Sequence, residues 1–310
     1  MITIFSTPKP FTGHISIIQK NAIRSWDSIS PKCDLFLFGK EVGTREMAEN
    51  LGATYIENEE VNNWGTPLVN DMFTKAQLFS DNNLFCFINS DIILDNTIWQ
   101  AIKKVKLKYK KFLIVGRCIN YKIIKKINFT EFNELEDKLK NAKSFGKYRS
   151  NYGIDYFIFT RGLYDNMPKF AIGRGYFDNW LVWYARKNAV VIDATYLLNA
   201  IHQDHHYKHI KGGQDEAYCG KEASQNFILA GGEKHRYAIF DASHKLYESG
   251  LKRNWTGYFR IHYYSIKIGK FIPKIPGILR SYFYNVAKPL GIRRSNFVKI
   301  INYIRKALKQ

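Results

Sequence analysis

The side chains best suited to chemistry in this 310-residue chain are acids and histidines that follow short apolar runs. Leu84-Phe85-Cys86-Phe87-Ile88 has the length and character of a buried strand, and it delivers Asn89-Ser90-Asp91. In open α/β sheets, ligands bind beyond the carboxyl ends of the strands. A carboxylate placed there suits Mg2+ or Mn2+, which take oxygen ligands and share their shell with substrate phosphates. Downstream, Gly175-Tyr176-Phe177-Asp178-Asn179-Trp180 enters a helical pattern through Leu181, Trp183 and Arg186. The apolar run Val190-Val191-Ile192 follows, and then His202. Asp178 reads either as a helix cap or as a base held rigidly at a helix start. His202 reads either as a structural histidine or as a metal ligand. Asp91 alone also suits a turn or a helix cap, and what favours chemistry is the ordered set.

The elements that must position these residues alternate, in the first 120 residues, between short strands and helix-like segments, the pattern of a mostly parallel sheet flanked by helices. Strands are expected at 2–7, 35–38, 53–57, 84–88 and 112–116. Helices are expected at 15–29, where Ile15, Ile18, Ala22, Ile23, Trp26 and Ile29 keep helical spacing, at 44–51, from Pro67, and at 95–108. Residues 119–150 are polar and lysine-rich and read as an excursion from the sheet, helical around 131–143. A strand at 154–159, a helix at 178–187 and a strand at 190–192 restore regularity. From His202 to Gly213 the chain reads as a polar, histidine-rich loop.

Together these residues resemble the GT-A nucleotide-sugar glycosyltransferases, especially the family 2-like enzymes, from the first strand to about residue 205. The resemblance implies an α/β fold with a mixed, mostly parallel Rossmann-like sheet. It places Asn89-Ser90-Asp91 at the family's DxD motif, with Asp91 and His202 as ligands of Mn2+ or Mg2+, and it makes Asp178 the base of an inverting transfer. Donor or substrate contacts are implied for Thr7, Gly65, Thr66, Asp71, Asn89, Ser90, Asp155, Arg174, Trp180, Lys208 and Lys211. The donor would be a UDP- or GDP-linked sugar. Two residues depart from the pattern: Asn89 stands where the motif has its first Asp, and Phe177 where a Glu is usual.

Composition bounds the rest. At 45% hydrophobic residues the chain is long enough for one large core. Its four cysteines are scattered, with no Cys-x-x-Cys pair, and Cys86 and Cys118 read as reduced core thiols. No apolar run reaches spanning length, and the N-terminus reads as a strand rather than a secretory signal. Residues 251–310 hold eight lysines, six arginines and no acid, so +14 of the net +20 sits there. Within it, Phe297, Ile300, Ile301, Ile304 and Leu308 share a helical face, a pattern suited to an interfacial helix. The expected division is a catalytic domain at 1–245 and a basic, aromatic-rich tail at 246–310. The tail would hold a cytoplasmic protein against the inner, anionic face of a membrane and near a glycan or lipid-linked acceptor. Nucleic acid is disfavoured because no recognised binding module is present. Two competing readings are a metal phosphoesterase, prompted by Asp204-His205-His206, and a non-catalytic membrane- or RNA-binding protein on a degenerate transferase fold.

Overall fold

The structure, a computed structural model, describes residues 1–57, 60–131, 133–204 and 213–257, the side chains of 213–215 excepted. The chain divides into units Met1–Trp255 and Thr256–Gln310, and all the elements named below lie in the first. In order they are β1 (Thr3–Ser6), α1 (Gly13–Asp27), β2 (Asp34–Phe38), α2 (Thr44–Leu51), β3 (Thr54–Ile56), α3 (Val69–Leu78), β4 (Leu84–Ile88), β5 (Ile92–Leu94), α4 (Thr97–Lys106) and β6 (Phe112–Val115). Then come β7 (Ile119–Tyr121), α5 (Glu134–Phe145), β8 (Lys147–Tyr148), β9 (Tyr156–Thr160), α6 (Phe177–Asn188), β10 (Val190–Asp193) and β11 (Ala200–Gln203). The last are α7 (Gly213–Cys219), α8 (Lys221–Leu229), β12 (His244–Tyr247) and β13 (Gly250–Arg253).

Nine strands form the main sheet in the order β13-β12-β10-β6-β9-β4-β1-β2-β3. Strand β9 runs antiparallel to both β4 and β6, and β13 runs antiparallel to β12. The other pairings of this sheet are parallel. This is the mixed, mostly parallel α/β sheet expected.

Strand side chains alternate between faces, and the sequence uses that alternation to sort residue types. Ile4, Leu35, Leu37, Cys86, Ile88 and Ile158 point to one layer, covered by α1 and α4 through Ala22, Ile23, Trp26, Ala101 and Val105. Phe5, Phe36, Phe38, Phe85, Phe87, Phe157 and Phe159 point to the other, where α3 and α6 add Met72, Phe73, Leu181 and Val182. Each such side chain contributes roughly 1.5–3 kcal/mol on full burial, so both faces of the sheet are firmly committed.

A second, four-stranded sheet, β5-β11-β7-β8, lies outside the sequence expectations. Residues 119–121 and 147–148 belong to it, so the lysine-rich excursion is in part a sheet. So does His202, which sits in β11 rather than opening a loop. At two to four residues each, these strands are too short to leave a period in the sequence. The main sheet also runs to Arg253, past the boundary placed at residue 245. Leu246 and Leu251 still face each other across β12 and β13 there, whereas the loss of acidic residues marks charge and not fold.

Candidate active site

Topology brings the chemistry to one edge. Strands β1, β2, β4, β6 and β10 are aligned the same way, so their carboxyl ends share that edge. Strand β9 is reversed, and Tyr156 at its start pairs with Ile88 at the end of β4. Asp155 therefore stands beside Asn89. Helix α6 enters β10 directly through Ala189, so its N-terminus, carrying Asp178, points back to the same edge.

Asp91 and His202 meet. Strand β11 runs antiparallel to β5 with His202 opposite Ile92, and His202 Nε2 lies 3.8 Å from Asp91 Oδ2. Their side chains are only 9% and 13% exposed. Gln203, fully buried, fixes the Asp91 backbone: its amide and its Nε2 both donate to the Asp91 carbonyl, at 3.3 and 3.1 Å. A carboxylate and an imidazole at this separation suit a shared divalent ion. Both side chains are of types that bind Mn2+ or Mg2+. Among the described residues no group of three His, Cys, Asp or Glu suited to a metal ion is found.

Asn89 is held twice by Asp155. Its amide donates to the Asp155 carbonyl at 2.9 Å and its Nδ2 to Oδ1 at 3.1 Å. The buried Asp155 is ion-paired to Arg149 Nε at 2.9 Å. Ser90 donates to Gln19 Oε1 at 2.9 Å, and Gln19 also bonds both the amide and the carbonyl of Lys9, at 2.6 and 2.8 Å. Lys9 thus sits beside the acidic turn: burial lowers its ammonium pKa, and the Asp91 charge opposes that effect. Thr7 lies at the end of β1, close enough to β2 that a Cβ on Gly39 would fall 3.1 Å from its Oγ1.

Asp178 occupies the first turn of α6, but its carboxylate does not cap the helix in the usual way. Tyr176 takes the N-cap position at φ 81 with no side-chain cap bond, an outlying conformation for a bulky residue. Asp178 Oδ1 accepts from the Asn179 amide at 2.9 Å. Part of the side-chain surface is open, yet protein packs densely around it. That burial pushes its pKa from 3.8 to about 7; Asp155 raises it further, while the Asn179 amide and Arg236 pull it down. A carboxyl tuned to neutrality is suited to proton transfer.

The other expected donor residues gather elsewhere or turn inward. Gly65 (φ 78) shapes a turn in which Asn62 Oδ1 accepts from the Thr66 amide at 3.0 Å. Asn62 Nδ2 and Arg174 converge on Glu222 of α8, at 2.7 and 2.6 Å. Burial alone would raise the Glu222 pKa, but hydrogen bonds from Asn62, Thr66 and Arg174 hold it low. Arg174 is thus already neutralised. Asp71, on α3, pairs with Lys75 at 2.7 Å. Trp180 does not stand open to a sugar. It is 4% exposed and stacked on Tyr184 at 4.7 Å, with Phe170 at 5.3 Å, because the helical period turns it into the aromatic layer. Trp64, by contrast, is 51% exposed. Lys208, Lys211, His205 and His206 lie outside the described residues, as does the tail beyond residue 257.

Several participants escaped the sequence reading. Lys9, Arg149, Glu222 and Arg236 look like surface charges in a basic chain, and only the fold sets partners such as Asn62 for Glu222 and Tyr152 for Arg236. The Pro-Lys-Pro run directly after β1 was the one local signal available for Lys9.

No protein-family model matches the chain, and no curated protein matches it. Solved structures do. Glucosyl-3-phosphoglycerate synthase from Mycobacterium tuberculosis, solved with Mg2+ and UDP, is 13% identical with a TM-score of 0.46, over 75% of this chain and 80% of that one. TarS 1–349 of S. aureus, solved with UDP-GlcNAc, is 10% identical with a TM-score of 0.48, over 74% of this chain and 65% of that one. The mixed, mostly parallel sheet flanked by helices is the arrangement the resemblance implied. Asn89, Ser90, Asp91, Asp155 and His202 share one edge of that sheet. Asp178, at the N-terminus of α6, faces the same edge, whereas Arg174 and Thr66 form a separate cluster with Glu222.

Proposed function

We propose that the chain is a metal-dependent nucleotide-sugar glycosyltransferase that moves a sugar from a UDP- or GDP-linked donor to an acceptor hydroxyl with inversion. The observation carrying this reading is the meeting of Asp91 and His202, far apart in sequence, 3.8 Å from each other at the sheet edge where ligands bind. Asp91 and His202 would hold Mn2+ or Mg2+, which when bound supplies positive charge for the leaving diphosphate. Lys9, anchored by Gln19 beside Ser90, adds a protein cation on the same side. Asn89 and Asp155, locked together, present hydrogen-bonding groups to ribose or donor sugar, with Thr7 at the end of β1 as a further donor contact. With Oδ1 engaged by Asn179, Asp178 takes the acceptor proton at Oδ2. Its pKa of about 7 leaves a large carboxylate fraction at neutral pH. The net charge of +14 in 251–310 supports a location against an anionic membrane surface, near a glycan or lipid-linked acceptor. No described helix is long and apolar enough to cross a membrane.

Nucleotide release measured across a panel of UDP- and GDP-sugars, with and without Mn2+, tests the reading. Release from at least one donor that requires the metal and is lost in Asp91→Ala is the expected result. Absence of release from every donor, or release indifferent to both changes, would remove it.

A further inference from the structure

Three consecutive residues after α8 contact α6 at Trp183, Tyr176 and Asn179. His235 stacks on Trp183 at 3.6 Å and 22°. Arg236 lies over the Tyr176 ring at 5.4 Å and over the Tyr152 ring at 5.1 Å. The Tyr237 carbonyl accepts from Asn179 Nδ2 at 2.7 Å. Residues 176 and 179, which flank Asp178, are thus both tied to this strap. The strap is itself braced against the loop before β9, through Ile239 N donating to the Asn151 carbonyl at 3.1 Å and Tyr152 packing edge-on against Phe240 at 5.5 Å.

A guanidinium held between two aromatic faces keeps its charge in place at little conformational cost. Tyr176 accepts a positive φ of 81 in providing one of those faces, and backbone outliers of this kind persist where the surroundings over-determine them. The charged groups that act on the Asp178 carboxylate are Asp155, ion-paired to Arg149, from the β9 side and Arg236 from the strap. Glu233 accompanies Arg236 at 3.5 Å but is 57% exposed, so water weakens its countercharge.

We propose that Arg236, clasped by Tyr152 and Tyr176, is a positioning residue for Asp178, supplying a fixed positive charge beside the first turn of α6. This rests on Asp178 being the base and adds the group that prepares it.

The test is carboxyl titration by 13C NMR on aspartate-labelled protein, with Asp178→Asn identifying the resonance. Arg236→Gln is expected to move the Asp178 midpoint upward by about 0.5–1 pH unit. That is less than the 1–3 units of a close buried pair, because Arg236 is 38% exposed. Arg236→Lys, which keeps the charge, should restore most of the shift. Tyr152→Leu, which removes one side of the clasp from outside the helix, should give a smaller shift of the same sign and serves if Arg236→Gln does not fold. An unmoved midpoint in Arg236→Gln would overturn the proposal, as would equal shifts in Arg236→Gln and Arg236→Lys. The readout needs no substrate. A protein with the predicted titration but no donor turnover would refute the proposed reaction alone, and an active enzyme with an unmoved midpoint would refute this inference alone.

Discussion

Replacing Asp178 with asparagine preserves the shape of the side chain and removes its charge, and the structure sets both the sign and the size of the consequence. In the folded protein the carboxyl titrates at about 7, against an ordinary 3.8. The folded state therefore binds this proton more tightly than the unfolded chain does. Below about pH 4 both states are protonated and the residue contributes no difference. As pH rises from 4 to 7 the unfolded chain ionises freely while the folded one resists, and stability falls. At about 1.4 kcal/mol per unit the full penalty would approach about 4 kcal/mol. The carboxylate keeps some open surface, and the first turn of a helix favours a negative charge, so about 2 kcal/mol is the sounder figure. Asp178→Asn should then raise the melting temperature by about 4–8 °C at pH 8 and by little at pH 4, read by circular dichroism in paired scans. Equal melting temperatures at pH 8, or a variant less stable there than the parent, would refute the reasoning about burial.

Trp180→Ala should cost about 3–5 kcal/mol in urea unfolding, because it empties a site packed by Phe170, Trp183 and Tyr184; a loss under 1 kcal/mol would place the ring outside the core. Truncation after residue 257, which spares β12 and β13, should leave the melting temperature within about 2 °C while abolishing sedimentation with phosphatidylserine vesicles. Retained vesicle binding would move the membrane contact into the sheet domain.

How far the sequence could be read depended on the length over which each signal acts. The continuous run at 84–88 and the helical spacing at 15–29 are local, and both appear in the structure as β4 and α1. The places of Asp91 after β4 and Asp178 at the start of α6 were also local, whereas His202 lies inside β11. What joined them was not. Gln203 holds the Asp91 carbonyl across more than a hundred residues, and β11 is only four residues long. Trp180 was misplaced because an aromatic beside a candidate base has no local mark of burial; only the turn of α6 against the Phe-rich face decides it. Arg174 offered a charge, but Glu222, which cancels it, lies on a helix 48 residues away.

Mn2+ binding followed by electron paramagnetic resonance, in the presence of UDP, addresses the pairing of Asp91 with His202 most directly. One bound ion is expected in the parent protein, with affinity reduced about tenfold or more in both Asp91→Ala and His202→Ala. Binding in either variant indistinguishable from the parent would contradict it.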